Sequence, residues 1–159
     1  MSVAAGGGSR LDKVDGRVRV GPESVGADPG PACYGRGRLA AVTDANLVLG
    51  RIQARWFPAV FGSQGDQPLD LDRARQAVAQ AAGVELTDES ALLDAAAGFL
   101  SVADAVMAEA TASLSVSRGH DPREHSLIAL GGAGPQHACA VAERLGIRQV
   151  LAHPRAGVL

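Results

Sequence analysis

The chain has 159 residues, of which 47% are hydrophobic and 20% are charged, a composition that fits one globular domain. The formal net charge is only −2, and the basic residues are scattered without interleaved aromatic residues, which argues against a nucleic-acid partner. The N-terminus lacks the layout of a signal peptide and no apolar run reaches the roughly 20 residues of a membrane span, so we expect a cytoplasmic protein without a membrane partner.

The first 40 residues predict a loop-rich segment that contains many glycines and prolines. Within it, only residues 17–20 alternate well enough to predict a strand. The Asp-Pro-Gly-Pro sequence of residues 28–31 predicts a rigid, non-helical turn, because each proline fixes its own φ and restricts the residue before it. We expect Asp28 to fix this turn through its own backbone.

A short helix is predicted next, with Thr43 or Asp44 as its N-cap and Gly50 at its end. Residues 51–68 show no regular pattern and are interpreted as turn or loop. The aromatic side chains of this segment are interpreted as packing residues; they are Trp56, Phe57 and Phe61.

Two helices are predicted in the middle of the chain. The first begins at Asp70 or Asp72, ends at Gly83, and exposes its arginines to solvent. The second begins at Asp88 or Ser90 and runs to about residue 117. Its alanine-rich pattern predicts a long helix that packs on neighbours on more than one side.

The C-terminal part predicts a β-α-β unit, with strand 126–130, helix 135–145 and strand 148–152. The two strands should be parallel with a right-handed connection. A ligand of such a unit lies at the carboxyl ends of the strands, which is where the sequence Gly-Gly-Ala-Gly of residues 131–134 falls. Glycines let a ligand approach the backbone, and the amides at a helix start attract negative charge. A ligand-free tight turn is the alternative interpretation, and the local pattern does not decide between them.

The cysteines and histidines predict no metal centre. Cys33 and Cys139 form neither a disulfide framework nor a metal motif, and both are expected to be buried thiols. The histidines show no i, i+4 pair with a catalytic glutamate; they are His120, His125, His137 and His153. We interpret His137 as a capped or core-satisfied side chain.

Four blocks in this order resemble the hydantoinase A / 5-oxoprolinase family. They are residues 22–37, which include Gly-Ala-Asp-Pro-Gly-Pro-Ala-Cys-Tyr-Gly, residues 42–51, residues 118–123 and residues 131–135. The resemblance covers nearly the whole chain. It departs from the family pattern at Gln136, where an apolar residue is usual, at Asp104, where Asn is common, and at residues 111–115, which lack an arginine.

The resemblance implies an α/β fold that is part of an actin-like (ribonuclease H-like) ATPase domain, with a loop-rich N-terminal portion, a long helix and the C-terminal β-α-β unit. It implies that the adenine and ribose of ATP are lined by Gly131, Gly132, Ala133 and Gly134. ATP and Mg²⁺ are the implied cofactors, and the implied reaction opens a hydantoin or 5-oxoproline ring after phosphorylation of the amide oxygen. No residue of this chain is assigned a catalytic role.

Family members are implied to be several times longer, with phosphate-binding Asp-x-Gly-Gly-Thr motifs upstream of the matching region. These 159 residues contain no such motif. We therefore expect residues 1–159 to be a second-half fragment of a hydantoinase A domain, truncated at both ends and inactive alone. Its expected partners are the cyclic amide, the rest of the enzyme and a hydantoinase B-type subunit. The alternatives are a non-catalytic nucleotide-binding or subunit-interface module, or a piece of a related ketone carboxylase subunit.

Overall fold

The computed structural model describes residues 6–158. These fall into two compact units, an N-terminal unit up to Val102 and a C-terminal unit from Ala103 onward. The secondary structure mixes helices and strands in both units, which confirms the α/β composition expected from the sequence.

The N-terminal unit begins with a β-hairpin. Strand β1 (Ser9–Val14) pairs antiparallel with β2 (Arg17–Ser24). Both turn residues have positive φ, 51° at Asp15 and 76° at Gly16, as the tightest hairpin turns require. The strand predicted at residues 17–20 is confirmed and extends to residue 24, whereas β1 was not predicted.

Helix α1 (Val42–Val48) begins at Ala41 as its N-cap, so the prediction of Thr43 or Asp44 at that position was wrong. Helix α2 (Leu71–Ala82) is confirmed with both of its boundary residues. The Asp70 carboxylate accepts the Arg73 backbone N–H at 2.9 Å, and Gly83 ends the helix with a φ of 68°.

The loop between α1 and α2 is irregular, as predicted, with one short 3-10 helix (Ala54–Trp56). The interpretation of its aromatic side chains as packing residues was wrong for two of the three. Trp56 is 75% exposed and Phe57 is 44% exposed, whereas Phe61 is partly buried and its ring lies 4.7 Å from that of Tyr34.

Helix α3 (Glu89–Ser117) has the predicted boundaries, and Asp88 accepts the Ala91 backbone N–H at 3.0 Å. By length and composition α3 is a helix that could cross a membrane, contrary to the expectation that no run qualified. Core helices of soluble proteins share these properties. In the N-terminal unit α3 behaves as a core helix, since its side chains at positions 92, 96, 99 and 100 are fully or almost fully buried.

The C-terminal unit contains the predicted β-α-β arrangement. Strand β3 (Leu127–Ala129) leads into helix α4 (Gly134–Leu145), and β4 (Val150–Ala152) follows. The strands are parallel, with Leu127 opposite Val150, which confirms the predicted parallel pairing. Pro135 lies in the first turn of α4, where its missing N–H costs no hydrogen bond.

Candidate functional site

The glycine loop, residues 130–134, joins the carboxyl end of β3 to α4. Gly131 has a φ of 79°, which favours glycine, and its N–H donates to the Ala156 carbonyl oxygen at 2.7 Å. A Cβ atom added at Gly131 or Gly132 would meet no atom within 4 Å, and one at Gly134 would meet only Ala129 at 4.0 Å. The loop therefore has open space beside its backbone, at the end of the sheet where the sequence predicted a ligand.

Gln136 folds back onto this loop. Its Nε2 donates to the Gly132 carbonyl oxygen at 3.2 Å, while its Oε1 is buried without a hydrogen-bond partner. The sequence marked Gln136 only as a departure from the family pattern and gave it no role.

His137 follows in the same helical turn and is anchored to α3. Its Nδ1 lies 2.6 Å from Oδ1 of Asp104, and only 2% and 6% of the two side chains are exposed. The interpretation of His137 as a core-satisfied side chain is confirmed. The pair ties the start of α4 to α3 within the C-terminal unit.

In the N-terminal unit, a buried carboxylate organises the Gly-Ala-Asp-Pro-Gly-Pro-Ala-Cys-Tyr-Gly segment. Asp44 is fully buried and accepts three backbone hydrogen bonds, from Ala32 at 3.1 Å, from Cys33 at 2.8 Å and from Ala41 at 2.8 Å. It thereby joins the turn after the second proline to the start of α1. Asp28, which was expected to fix this turn, instead extends into solvent beside Arg36, with 3.4 Å between the charged groups.

Burial dominates the electrostatics around Asp44. It raises the pKa of the Asp44 carboxyl above 3.8, although the N–H donors of Cys33, Ala41 and Ala32 oppose this shift. Burial, together with the neighbouring Asp44 carboxylate, also raises the pKa of the Cys33 thiol. Because only a thiolate is an effective nucleophile, Cys33 is a structural thiol, as predicted. Cys139 is exposed, so its prediction as a buried thiol was wrong.

The raised pKa of Asp44 predicts a pH-dependent stability. The folded state holds the Asp44 proton more tightly than the unfolded chain, so this contribution is fully present below pH 3.8 and is lost as pH rises through the folded-state pKa. Asp44→Asn does not titrate and should remove this part of the slope. Urea unfolding at intervals from pH 3 to pH 7 measures both slopes. Identical pH dependence of the wild-type chain and the variant would contradict the assignment.

Two neighbouring clefts open on the surface of the N-terminal unit. One has a volume of about 440 Å³ and mixed charge, with Arg10, Glu23, Asp28 and Arg38 in its lining. The other, of about 360 Å³, lies against α2 and shares Gly37 and Arg38 with the first. A Cβ at Gly37 would lie 2.0 Å from the Gly30 carbonyl oxygen, so the wall between the clefts requires glycine. The sequence did not predict either cleft, because their linings come from separate segments.

Within residues 6–158, no group of three or more His, Cys, Asp or Glu side chains is arranged to hold a metal ion. Both oxygens of the buried Asp44 carboxylate already accept hydrogen bonds from backbone N–H groups. We therefore assign none of the described side chains to metal binding.

The comparisons with known proteins agree with the four sequence blocks. A family model for hydantoinase/oxoprolinase matches residues 1–159. The 5-oxoprolinase 1 of Arabidopsis thaliana is 47% identical over 167 residues, which cover 99% of this chain and 13% of that protein. The crystal structure of an ATP-dependent caprolactamase from Pseudomonas jessenii matches with a TM-score of 0.77 and 35% identity, over 98% of this chain and 22% of that one.

A nucleotide-free structure of acetone carboxylase, solved in work on ATP-dependent acetone carboxylation, matches with a TM-score of 0.76 and 25% identity, over 96% of this chain and 21% of that one. The chain thus spans about an eighth of the length of the Arabidopsis relative and about a fifth of the two solved structures. The matches to the family model and to the Arabidopsis protein both cover essentially the whole chain. The chain therefore belongs to the hydantoinase/oxoprolinase family.

Proposed function

We propose that this chain forms the adenosine-binding part of an actin-like ATPase domain in an ATP-dependent cyclic-amide hydrolase. In this proposal Gly131, Gly132, Ala133 and Gly134 line the adenine and ribose. The observation that carries it is the open glycine loop between a parallel strand and a helix start.

The residues of the loop fit such a ligand on two counts. The space beside Gly131 and Gly132 is open where any side chain would project, so a base or ribose can contact the backbone there. The loop also lies between the carboxyl end of β3 and the first turn of α4, which is the position that ligands take in β-α-β units.

When bound, ATP would supply the phosphoryl group that makes a ring amide open to attack by water. The residues of this chain would bind and orient the adenosine side: the glycine loop through its backbone, and α4 through the anchor between His137 and Asp104. Since the chain lacks the Asp-x-Gly-Gly-Thr motif, we propose that the groups that hold the phosphates and Mg²⁺ belong to the rest of a longer protein or to a partner subunit of the hydantoinase B type.

The chemistry of the relatives supports a hydrolase over a carboxylase. The relative named 5-oxoprolinase is 47% identical to this chain, whereas the acetone carboxylase structure is 25% identical. A non-catalytic nucleotide-binding module would bind nucleotide with the same loop. It would differ from the hydrolase only in the groups that surround the loop.

Replacement of Gly132 by valine tests the site. The wild-type chain is expected to bind ATP and ADP weakly, and Gly132→Val is expected to abolish this binding, because the side chain would fill the space of the base or ribose. The fold should survive, since Gly132 does not have a positive φ and a Cβ there meets no atom within 4 Å. Isothermal titration calorimetry with nucleotide in millimolar excess measures the loss.

Gly98→Val is the matched control, because Gly98 also has no atom within 4 Å of an added Cβ and lies in α3, away from the loop in sequence. It should bind nucleotide like the wild-type chain. Unchanged affinity in Gly132→Val would refute the site, and sustained ATP hydrolysis by this chain alone would refute the proposal that its phosphate-binding groups lie elsewhere.

A further inference from the structure

The two faces of the β3–β4 sheet differ in what packs on them within residues 6–158. Successive side chains of a strand point to opposite faces, so Leu127 and Ala129 lie on one face and Ile128 lies on the other. Helix α4 contacts both strands, and Ala129 is only 6% exposed, whereas Ile128 is 63% exposed. Helix α4 therefore packs on the face of Leu127 and Ala129.

The opposite face is apolar and open to solvent. Ile128 is paired with Leu151 across the two parallel strands, and side chains that are paired in this way lie next to each other on the same face of a sheet. Leu151 is 49% exposed. We call the surface formed by Ile128 and Leu151 the open face.

An open apolar face is unusual for a parallel sheet. Parallel sheets occur almost only with both faces covered, because their crossover connections place helices on the faces. The relatives supply a source for the second layer. This chain covers 13% of the Arabidopsis relative and 22% of the caprolactamase chain, so most of each of those proteins lies outside the matched region.

The charges near the open face indicate what a second layer would carry. Arg148 precedes β4 and Arg155 follows it, and both residues are exposed. Neither arginine has an ion pair among the described residues. Carboxylates on an element that packs across β4 would therefore find unpaired guanidinium groups at both ends of the strand.

We propose that the open face binds an amphipathic helix from the rest of a longer protein. The helix places an aliphatic stripe on Ile128 and Leu151 and carries acidic residues beside that stripe. A second copy of this chain fits less well, because two side chains bury far less than the roughly 1,200–2,000 Å² of a stable interface between separate proteins. A segment of the same protein needs less area, since tethering raises its effective concentration to about the millimolar range.

A designed peptide tests the open face in the whole chain. The probe is a capped peptide of about five helical turns, with leucines three and four residues apart and glutamates on either side of them. Methyl NMR titration should show shifts at Ile128 and Leu151, with a Kd of roughly 0.1–1 mM. A peptide of the same composition, with its leucines distributed around the helix, should bind at least tenfold more weakly.

A double variant, Ile128→Thr with Leu151→Thr, makes the open face polar and should abolish binding of the peptide. Threonine is β-branched and favours strands, so the fold should survive, which circular dichroism checks. Leu86→Thr is the matched control. Leu86 is also 40% exposed, but it lies in a turn of the N-terminal unit, so its replacement should leave the affinity unchanged.

Several results would overturn the inference. They are the absence of shifts at Ile128 and Leu151, equal affinity for the two leucine arrangements, equal affinity for a peptide with lysines in place of the glutamates, and binding that persists in the double variant. A wild-type dimer in sedimentation that the double variant does not form would assign the open face to a second copy instead. No nucleotide takes part in these measurements, so the adenosine site is tested separately.

Discussion

Asp44→Ala is expected to lower the free energy of unfolding of the N-terminal unit by about 3–5 kcal/mol. The substitution leaves three backbone N–H groups without their acceptor, those of Ala32, Cys33 and Ala41. Each unpaired buried donor costs about 1–3 kcal/mol, and water that enters the vacated space recovers part of the sum. A loss of this size is a large share of the stability of a typical domain. Urea unfolding followed by circular dichroism measures it.

Two further variants separate the network from general effects of charge. Asp44→Asn keeps one acceptor oxygen but points an NH₂ group at the remaining N–H donors. Its free energy of unfolding should therefore lie between that of Asp44→Ala and that of the wild type. Asp28→Ala removes an exposed carboxylate from the same turn. The only described ion pair of Asp28 is with Arg36, so the free energy of unfolding should change by less than about 1 kcal/mol. Equal losses for Asp44→Ala and Asp28→Ala would show that the buried network does not hold the turn.

Most helix boundaries could be predicted because the residues that set them are local. Asp70 and Asp88 each accept a backbone N–H three residues ahead, and Gly83 and Gly146 end their helices with positive φ. The parallel pairing of the two strands could also be predicted from the sequence. A short apolar run that is followed by a glycine loop and a helix is compatible with few topologies other than a β-α-β unit.

Some predictions were wrong because the hydrogen-bond partners involved are distant in sequence. Others were wrong because no local pattern shows which side chains are buried and which are exposed. Asp44 resembles an N-cap from its neighbours, but two of its donors lie 11 and 12 residues away. Apolar character alone did not reveal that Trp56 and Phe57 are exposed. Strand β1 was missed because its buried positions include the polar Ser9 as well as Leu11, which hides the apolar alternation.

The candidate site likewise has features that could be predicted from neighbouring residues and contacts that could not. The glycine loop could be read from four consecutive residues and its place after a strand. The unpaired Oε1 of Gln136 could not, because a glutamine in the first turn of a helix is ordinarily solvated. The partner of His137 lies 33 residues earlier in the chain, so the sequence predicted that the histidine is satisfied but did not say by which group.

His137→Ala is expected to destabilise the C-terminal unit by about 3–5 kcal/mol, because it leaves the buried Asp104 carboxylate without its partner. The same loss frees the first turn of α4 and the glycine loop before it, so the affinity for ATP should fall as well. Asp104→Asn retains an oxygen that accepts from Nδ1–H of His137 and should cost much less in both measurements. The double variant Asp104→Leu with His137→Leu removes both polar groups and is expected to recover stability but not the original nucleotide affinity. Thermal and urea unfolding, combined with calorimetry on the same variants, measure the two effects. If His137→Ala unfolds at the same urea concentration as the wild-type chain, the pair does not anchor α4.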